Sequence, residues 1–332
     1  MSATATATAR ASLPVLPADR LAGVLPDIER HIVGPIIADI ERLKQERDAI
    51  VLAHNYMTPD IFHGVADLAG DSLQLARMAA ETDASVIVMA GVHFMAETAK
   101  ILSPDRTVLI PDLKAGCSLA ESITPDDIAQ LRRAHPGAPV ITYVNTSAAV
   151  KAASDITCTS SNAVEVVRSL GTDKVIFIPD RYLGSWVASQ VPDIEVVIYD
   201  GACEVHERFT GAEVEELRTL HDGVAVLAHP ECPPDVLAAA DVVGSTKLMH
   251  DWVRDHQPSS VAMITECSMA DNVAADAPDT EFIRPCNMCP HMKRITIQNI
   301  RTSLETMTHE VVVDPDTAAR ARRAVEAMLA VA

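Results

Sequence analysis

The chain has 332 residues, of which 48% are hydrophobic, 22% are charged and only 3% are aromatic, and its formal net charge is −19 at pH 7. This composition is typical of a globular protein with a large buried core. The negative charge argues against a nucleic acid or an anionic membrane as partner, because either would be repelled. The sequence also contains no run of eighteen apolar residues, the length needed to span a bilayer. We therefore expect small-molecule substrates.

The first 30 residues are predicted to form an N-terminal extension that is partly disordered. The stretch is rich in Ala and Thr and lacks the apolar block of a secretory signal, although it has a weaker likeness to a transit peptide. Seven cysteines in a long chain without such a signal favour a reducing compartment, and therefore the cytoplasm. They indicate metal-binding or catalytic thiols rather than a disulfide framework.

Three similar units then follow one another along the chain. Each begins with an apolar run that ends in polar residues: IVLAHNY at 50–56, VITYVNT at 140–146 and VAVLAHPE at 224–231. Each closes on a cysteine, and Cys117, Cys203 and Cys289 are spaced at equal intervals of 86 positions. Since the motifs before each cysteine recur at nearly the same offsets, the spacing indicates an internal repeat.

The repeat predicts an α/β fold. Short apolar runs are typical of buried parallel strands, and the segments between them have helical periodicity. We expect three pseudo-threefold-related αβα three-layer domains, with parallel sheets around a central active site. Their predicted bounds are 31–120, 121–206 and 207–292, with C-terminal helices in 293–332 joining the first domain. The carboxyl ends of the strands, where such sheets bind ligands, would face the centre.

The equally spaced cysteines are candidate ligands of an iron–sulfur cluster. A single cysteine is more often a small buried hydrophobe, but one thiolate from each unit could converge on a four-iron cluster and leave one iron open as a Lewis acid. Cys286 lies three positions before the place that the 86-residue interval predicts. A fourth thiolate would also occupy the open coordination site of the cluster, so we predict that Cys286 is not a ligand. The cysteines outside the interval are predicted to be structural, and they are Cys158, Cys232 and Cys267.

Polar residues recur at equivalent places in the units. Hydroxyl clusters stand at the expected helix starts, in the segments 70–72, 159–161 and 244–246. Helix capping alone could explain any one of them, whereas three around one crevice suggest binding of an anion. The strand ends also carry groups able to exchange protons or form hydrogen bonds, namely His54, Tyr56, Tyr143, Asn145, His206, His229 and Glu231.

Several long motifs occur in order between about Ile50 and Lys293, namely AHNY, GDSL, GVHFMAETAKIL, AGCSLA, TYVNTSA, CTSSNA, AHPEC and VGSTK. Together they resemble the iron–sulfur-dependent (type A) quinolinate synthase family. The resemblance implies three αβα domains and a [4Fe-4S] cluster held by Cys117, Cys203 and Cys289. It also implies condensation of iminoaspartate (iminosuccinate) with dihydroxyacetone phosphate to quinolinate, phosphate and two waters in NAD biosynthesis.

The resemblance also implies roles for the polar residues. Substrate oxygens would be held by His54, Ser72, Tyr143, Asn145, Ser160, His229, Glu231 and Thr246. Proton transfers would be handled by Tyr56, Tyr143, His206 and Glu231. The chain departs from the family pattern at Met57, where Gln is frequent, and it lacks a third cysteine near Cys286. A transient contact with the enzyme that supplies iminoaspartate is a further expectation.

Two other functions stay open at this point. A hydro-lyase of the aconitase kind also leaves one iron open for dehydration chemistry. An electron-transfer or iron-sensing protein would use four protein ligands and a cluster that faces a partner.

Overall fold

The computed structural model describes residues 21–331. The first 20 residues of the predicted N-terminal extension lie outside the described residues. The first helix, α1 (Asp27–Arg47), begins inside the range predicted for that extension. It ends at Arg47, and the next residue, Asp48, has a left-handed φ of 52°, which is a common way to terminate a helix.

The first unit contains one parallel sheet of four strands, with the order β2-β1-β3-β4. Its elements are β1 (Ala49–His54), α2 (Pro59–Phe62), β2 (Leu68–Gly70), α3 (Ser72–Glu81), β3 (Val86–Ala90), α4 (His93–Leu102), β4 (Thr107–Leu109) and α5 (Ser118–Glu121). Every residue of β3 is buried. This continuous apolar run is typical of a parallel strand that is covered on both faces.

The second unit repeats this arrangement, with the strand order β6-β5-β7-β8. Its elements are α6 (Pro125–Ala134), β5 (Val140–Tyr143), α7 (Ala148–Ala153), β6 (Ile156–Cys158), α8 (Ala163–Ser169), β7 (Lys174–Ile178), α9 (Arg181–Gln190), β8 (Glu195–Ile198) and a 3₁₀ turn at His206–Arg208.

The third unit has the same topology, with the order β10-β9-β11-β12. Its elements are α10 (Gly211–Leu220), β9 (Ala225–Ala228), α11 (Pro234–Ala239), β10 (Val242–Val243), α12 (Thr246–His256), β11 (Ser260–Ile264), α13 (Ser268–Ala274), β12 (Glu281–Ile283) and a 3₁₀ turn at Met292–Arg294. Three parallel four-stranded sheets interleaved with helices confirm the predicted fold class.

Two helices complete the chain, α14 (Ile297–Thr306) and α15 (Pro315–Val331). We expected both to pack on the first unit. Helix α14 does so, against α1 and β3, whereas α15 packs mainly against α7 and β6 of the second unit and also touches α4 of the first. There Ala321 forms a small apolar cluster with Ile101 and Ala148, so α15 covers the junction between two units. The domain bounds themselves stay a prediction.

The cysteines were expected to serve as metal-binding or catalytic thiols rather than as a disulfide framework, and the structure contains one disulfide among the described residues. Cys267 is bonded to Cys286, with the two Cα atoms 4.9 Å apart. The pairing follows from the fold, because Glu266 and Asn287 form a parallel bridge that sets the two cysteines beside each other. Cys158 and Cys232 are buried free thiols, in line with a structural role.

Within residues 21–331, none of the helices combines the length and the apolar character needed to cross a membrane.

Candidate active site

The carboxyl ends of the three sheets meet at a cavity of about 70 Å³. His54 ends β1, Tyr143 ends β5 and His229 directly follows β9, so equivalent strands deliver one side chain each. All thirteen residues that the sequence singled out border this cavity: His54, Tyr56, Ser72, Cys117, Tyr143, Asn145, Ser160, Cys203, His206, His229, Glu231, Thr246 and Cys289. The structure therefore brings them together, while their individual roles stay a prediction.

The three cysteines of the repeat are unpaired thiols in equivalent local structures. Each stands at the start of a short helical turn, and each sulfur accepts backbone N–H groups from the residues two and three positions further along the chain. Burial is the main cause that raises the pKa of all three thiols, that of Cys117 to about 12. The negative charge of Glu231 also raises the pKa of Cys117 and of Cys203. A cation at this place would favour the thiolates.

Glu231 is the centre of the polar network. It is only 3% exposed. Tyr143 Oη donates a hydrogen bond of 2.5 Å to its Oε1, and His206 Nδ1 lies 2.8 Å from its Oε2. Burial alone would raise the pKa of Glu231, but the His206 imidazole and the hydrogen bonds from His206 and Tyr143 outweigh it and lower the pKa. The carboxylate is therefore ionised, and burial beside it raises the pKa of Tyr143 so that the phenol keeps its proton.

A second chain of hydrogen bonds leads away from His206. Its Nε2 lies 2.9 Å from Thr265 Oγ1, which in turn lies 2.6 Å from Tyr56 Oη. Burial raises the pKa of Tyr56 well above its ordinary value. Sequence reasoning missed Thr265, although it directly follows β11 and so occupies a strand end like the other site residues. Tyr56, Thr265, His206, Glu231 and Tyr143 thus form one connected path.

His54 and His229 are neutral donors at ordinary pH. Burial lowers the pKa of each to about 3. The Nδ1 atom of His54 accepts the backbone N–H of Tyr56 at 3.2 Å, and Nδ1 of His229 accepts that of Glu231 at 3.4 Å. These bonds assign the proton to Nε2 in both rings. In His229 this Nε2 donates to Ser160 Oγ at 3.1 Å.

The hydroxyls of Ser72 and Thr246 are not helix caps. Asp71 caps α3 by accepting from the backbone N–H of Gln74 at 2.9 Å, and Ser245 caps α12. Ser72 and Thr246 are therefore the first residues inside their helices. Since the caps are supplied by neighbours, the two hydroxyls at the cavity need another explanation.

Asn145 leaves one polar atom without a partner. Its Oδ1 is buried and has no hydrogen-bond partner among the described residues. Asn145 borders the cavity, where a bound molecule can supply the missing partner. Such a group is suited to a ligand.

Two buried acids just beyond strand ends were also missed, although they share the interval of the cysteines, and one of them, Glu266, borders the cavity. Asp180 and Glu266 are 86 positions apart and stand just beyond the ends of β7 and β11. Glu266 Oε1 accepts from the backbone N–H of Cys289 at 3.3 Å and pairs with Lys293 Nζ at 2.8 Å. Lys293 Nζ also donates to the carbonyl of Tyr56 at 2.8 Å, which connects the first unit to the third.

The chain matches the NadA family model, described as quinolinate synthetase A protein, over residues 38–330. It is 62% identical over 311 residues to a quinolinate synthase of Agrobacterium fabrum, covering 94% of this chain and 90% of that one. A quinolinate synthase of Xylella fastidiosa (strain Temecula1) is 63% identical over 295 residues, covering 89% and 87%. One of Caulobacter vibrioides (strain NA1000) is 56% identical over 306 residues, covering 91% and 83%.

Proposed function

This chain belongs to the NadA family of quinolinate synthetase A proteins, and on that premise we propose that it condenses iminoaspartate with dihydroxyacetone phosphate to give quinolinate, phosphate and two waters. The observation that carries the proposal is the cavity, where one unpaired cysteine from each unit stands beside the buried Glu231 network. A dehydrating ring closure needs both a Lewis acid and groups that move protons.

The three cysteines fit a [4Fe-4S] cluster. Cys117, Cys203 and Cys289 are unpaired, and each sulfur already accepts two backbone N–H groups, a pattern that stabilises thiolate ligands. Their buried, mutually repelling thiolates would be relieved by a polycationic metal centre. Such a cluster, held by three cysteines, would supply Lewis acidity through the iron that lacks a protein ligand.

Substrate carboxylate and phosphate oxygens would be held by neutral donors, in a chain whose net charge is −19. The proposed donors are the Nε2–H groups of His54 and His229, the hydroxyls of Ser72, Ser160 and Thr246, and the amide of Asn145. Ser72 and Thr246 stand at the first turns of helices of ten and eleven residues, where the helix dipole favours anions. The unsatisfied amide oxygen of Asn145 would accept a substrate hydroxyl.

Glu231 is the proposed base. Its ionised carboxylate can accept a proton from the substrate during isomerisation and ring closure. Tyr143 donates to one carboxylate oxygen, and His206 faces the other and is the neighbour to which the proton can be passed. On the far side of His206, Thr265 and Tyr56 extend the path across the cavity wall. Through these contacts Tyr143 and Glu231 would also orient the bound substrate.

We also propose that the chain works in the cytoplasm and makes transient contact with the enzyme that supplies iminoaspartate. Five of its seven cysteines are unpaired, which suits a reducing compartment. Family membership favours quinolinate synthesis over the hydro-lyase alternative. The electron-transfer alternative predicts four thiolate ligands, whereas three cysteines border the cavity.

The direct test is product formation by the full-length chain. The protein would be purified anaerobically with its iron and sulfide content measured, and then incubated with dihydroxyacetone phosphate and freshly generated iminoaspartate. We expect quinolinate, detected by liquid chromatography and mass spectrometry, together with one phosphate for each quinolinate formed.

A Cys203→Ala variant, prepared in the same way, provides the matched control that lacks one proposed ligand. It should lose bound iron and quinolinate formation together. Iron-replete protein that consumes neither substrate would refute the proposed reaction, and a Cys203→Ala variant with full iron content would refute the proposed ligand set.

A further inference from the structure

We propose that the chain, when it carries no cluster, binds one divalent transition-metal ion of the zinc class between Cys203, His206 and Glu231, and that this ion blocks cluster assembly. These residues are called the zinc-type group below. They include one proposed cluster ligand and two residues assigned above to proton transfer. The new site therefore overlaps the cluster site at a single residue.

The ligand atoms of the zinc-type group already lie close together. His206 Nδ1 is 3.2 Å from Cys203 Sγ and 2.8 Å from Glu231 Oε2. One ligand atom from each residue lies within 4.8 Å of the other two. Thiolate sulfur, imidazole nitrogen and carboxylate oxygen are the three donor types that zinc takes in proteins. A metal ion placed between these three ligand atoms would have three protein ligands, and its fourth coordination position would face the cavity.

Each ligand is also held from behind by a second hydrogen bond. Tyr143 donates to Glu231 Oε1, the carboxylate oxygen that does not face His206. His206 Nε2 contacts Thr265 Oγ1 at 2.9 Å, so Nδ1 can coordinate while Nε2 keeps its proton. The backbone N–H groups of Val205 and His206 point at Cys203 Sγ. Outer contacts of this kind orient metal ligands and strengthen metal sites.

The charges of the group are suited to a divalent ion. A thiolate and a carboxylate carry two negative charges, and the neutral imidazole adds none, so a divalent ion gives an uncharged centre. The sulfur and nitrogen donors favour zinc, cobalt or nickel over magnesium or calcium. Cys203 cannot serve the ion and a cluster at once, which makes the two metal centres mutually exclusive.

Cobalt titration of the full-length chain, prepared without iron under anaerobic reducing conditions, tests the site. We expect one equivalent of Co²⁺ to bind with a sulfur-to-cobalt charge-transfer band, and one equivalent of Zn²⁺ to remove that band. Cys203→Ser and His206→Asn should abolish the band, and Glu231→Gln should weaken cobalt binding at least about 10-fold. Thr265→Val, which changes only an outer contact, should weaken it about 10-fold. Thermal unfolding of the metal-free variants checks that each is folded.

Cys117→Ala and Cys289→Ala separate this site from the cluster site. Both variants lack a proposed cluster ligand but keep the whole zinc-type group, so they should bind cobalt as the parent does. Loss of cobalt binding in either would place the ion among the three cysteines and overturn the proposal. So would the absence of the charge-transfer band in the parent, or an unchanged cobalt affinity in Glu231→Gln.

The consequence for assembly is measured separately. Iron-free parent protein loaded with one equivalent of Zn²⁺ should take up at least about 10-fold less iron and sulfide during reconstitution than unloaded protein, and a chelator should restore the uptake. Equal uptake with and without zinc would refute the blocking role. Neither result depends on quinolinate formation, so failure of the proposed enzymatic reaction is distinguishable from failure of this proposal.

Discussion

Replacement of Glu231 by Gln isolates the charge of one buried side chain. The amide has nearly the same shape as the carboxylate, so its Oε1 can still accept from Tyr143, and its NH₂ group would face His206 Nδ1. That nitrogen would then have to accept a hydrogen bond, which leaves the proton on Nε2, facing Thr265. We expect the variant to fold and to bind substrates, and to stall where a proton must be accepted.

The size of the effect on stability follows from the two contacts, at 2.5 and 2.8 Å. A hydrogen bond to a charged group contributes about 1.5–3 kcal/mol to stability, and a neutral one about 0.5–1.5 kcal/mol. Replacing the carboxylate by an amide in both contacts therefore loses roughly 2–3 kcal/mol of hydrogen-bond energy in total. The amide avoids the burial of a charge, which costs several kcal/mol. The two effects oppose each other, and the free energy of unfolding should change by no more than about 2 kcal/mol. The rate should fall about 10²- to 10⁴-fold, because a general base is lost.

The assay combines urea unfolding with single-turnover formation of quinolinate by iron-replete protein. Glu195→Gln is the control, since Glu195 is an exposed acid on β8 that pairs with Lys174 at 2.8 Å, far from the cavity. It should change stability by less than about 1 kcal/mol and leave the rate unaltered. Turnover of Glu231→Gln at the parent rate, with full iron content, would refute the role of this carboxylate as a base.

Three further predictions concern other parts of the site. Cys289→Ser should lose bound iron and acid-labile sulfide while Cys286→Ser keeps both, because of these two cysteines only Cys289 borders the cavity. Iron and sulfide analysis checks this, and the reverse pattern would overturn the ligand assignment. Ser72→Ala should raise KM about 10- to 100-fold at constant iron content, as expected for a lost hydrogen bond to a charged oxygen, and an unchanged KM in steady-state kinetics would leave the hydroxyl without a binding role. The iron-free chain should lose stability as the pH falls from about 6.5 towards 3, because burial lowers the pKa of His54 and His229 to about 3 and the unfolded chain then binds more protons. In urea unfolding near pH 5, the free energy of unfolding should change by about 1.4 kcal/mol less per pH unit in His54→Gln than in the parent. An equal dependence on pH in the two proteins would contradict this.

The repeat made much of the fold and site accessible from sequence. Parallel strands buried on both faces are continuous apolar runs, and side chains at their carboxyl ends must converge at one edge. That geometry placed His54, Tyr143 and His229 correctly without any knowledge of distances. The same interval would also have identified Asp180 and Glu266, which were overlooked because acids after a strand are common.

Other features depend on contacts that no local pattern encodes. The sequence could not decide whether Asp71 or Ser72 caps α3, because the choice depends on the backbone angles of a single residue. The Cys267–Cys286 disulfide joins two loops of the third unit, and the contact of Lys293 with the Tyr56 carbonyl joins the third unit to the first. Both follow from how strand ends and loops approach one another in three dimensions.

The position of α15 has a consequence for the order of synthesis. This helix follows α4 and α7 in the chain by a long interval, yet it covers the contact between them. The apolar surface around Ile101 and Ala148 therefore stays uncovered until α15 has been made and has docked. Because Cys117 and Cys203 belong to these two units, their final approach to each other is tied to the docking of an element that is made after both of them.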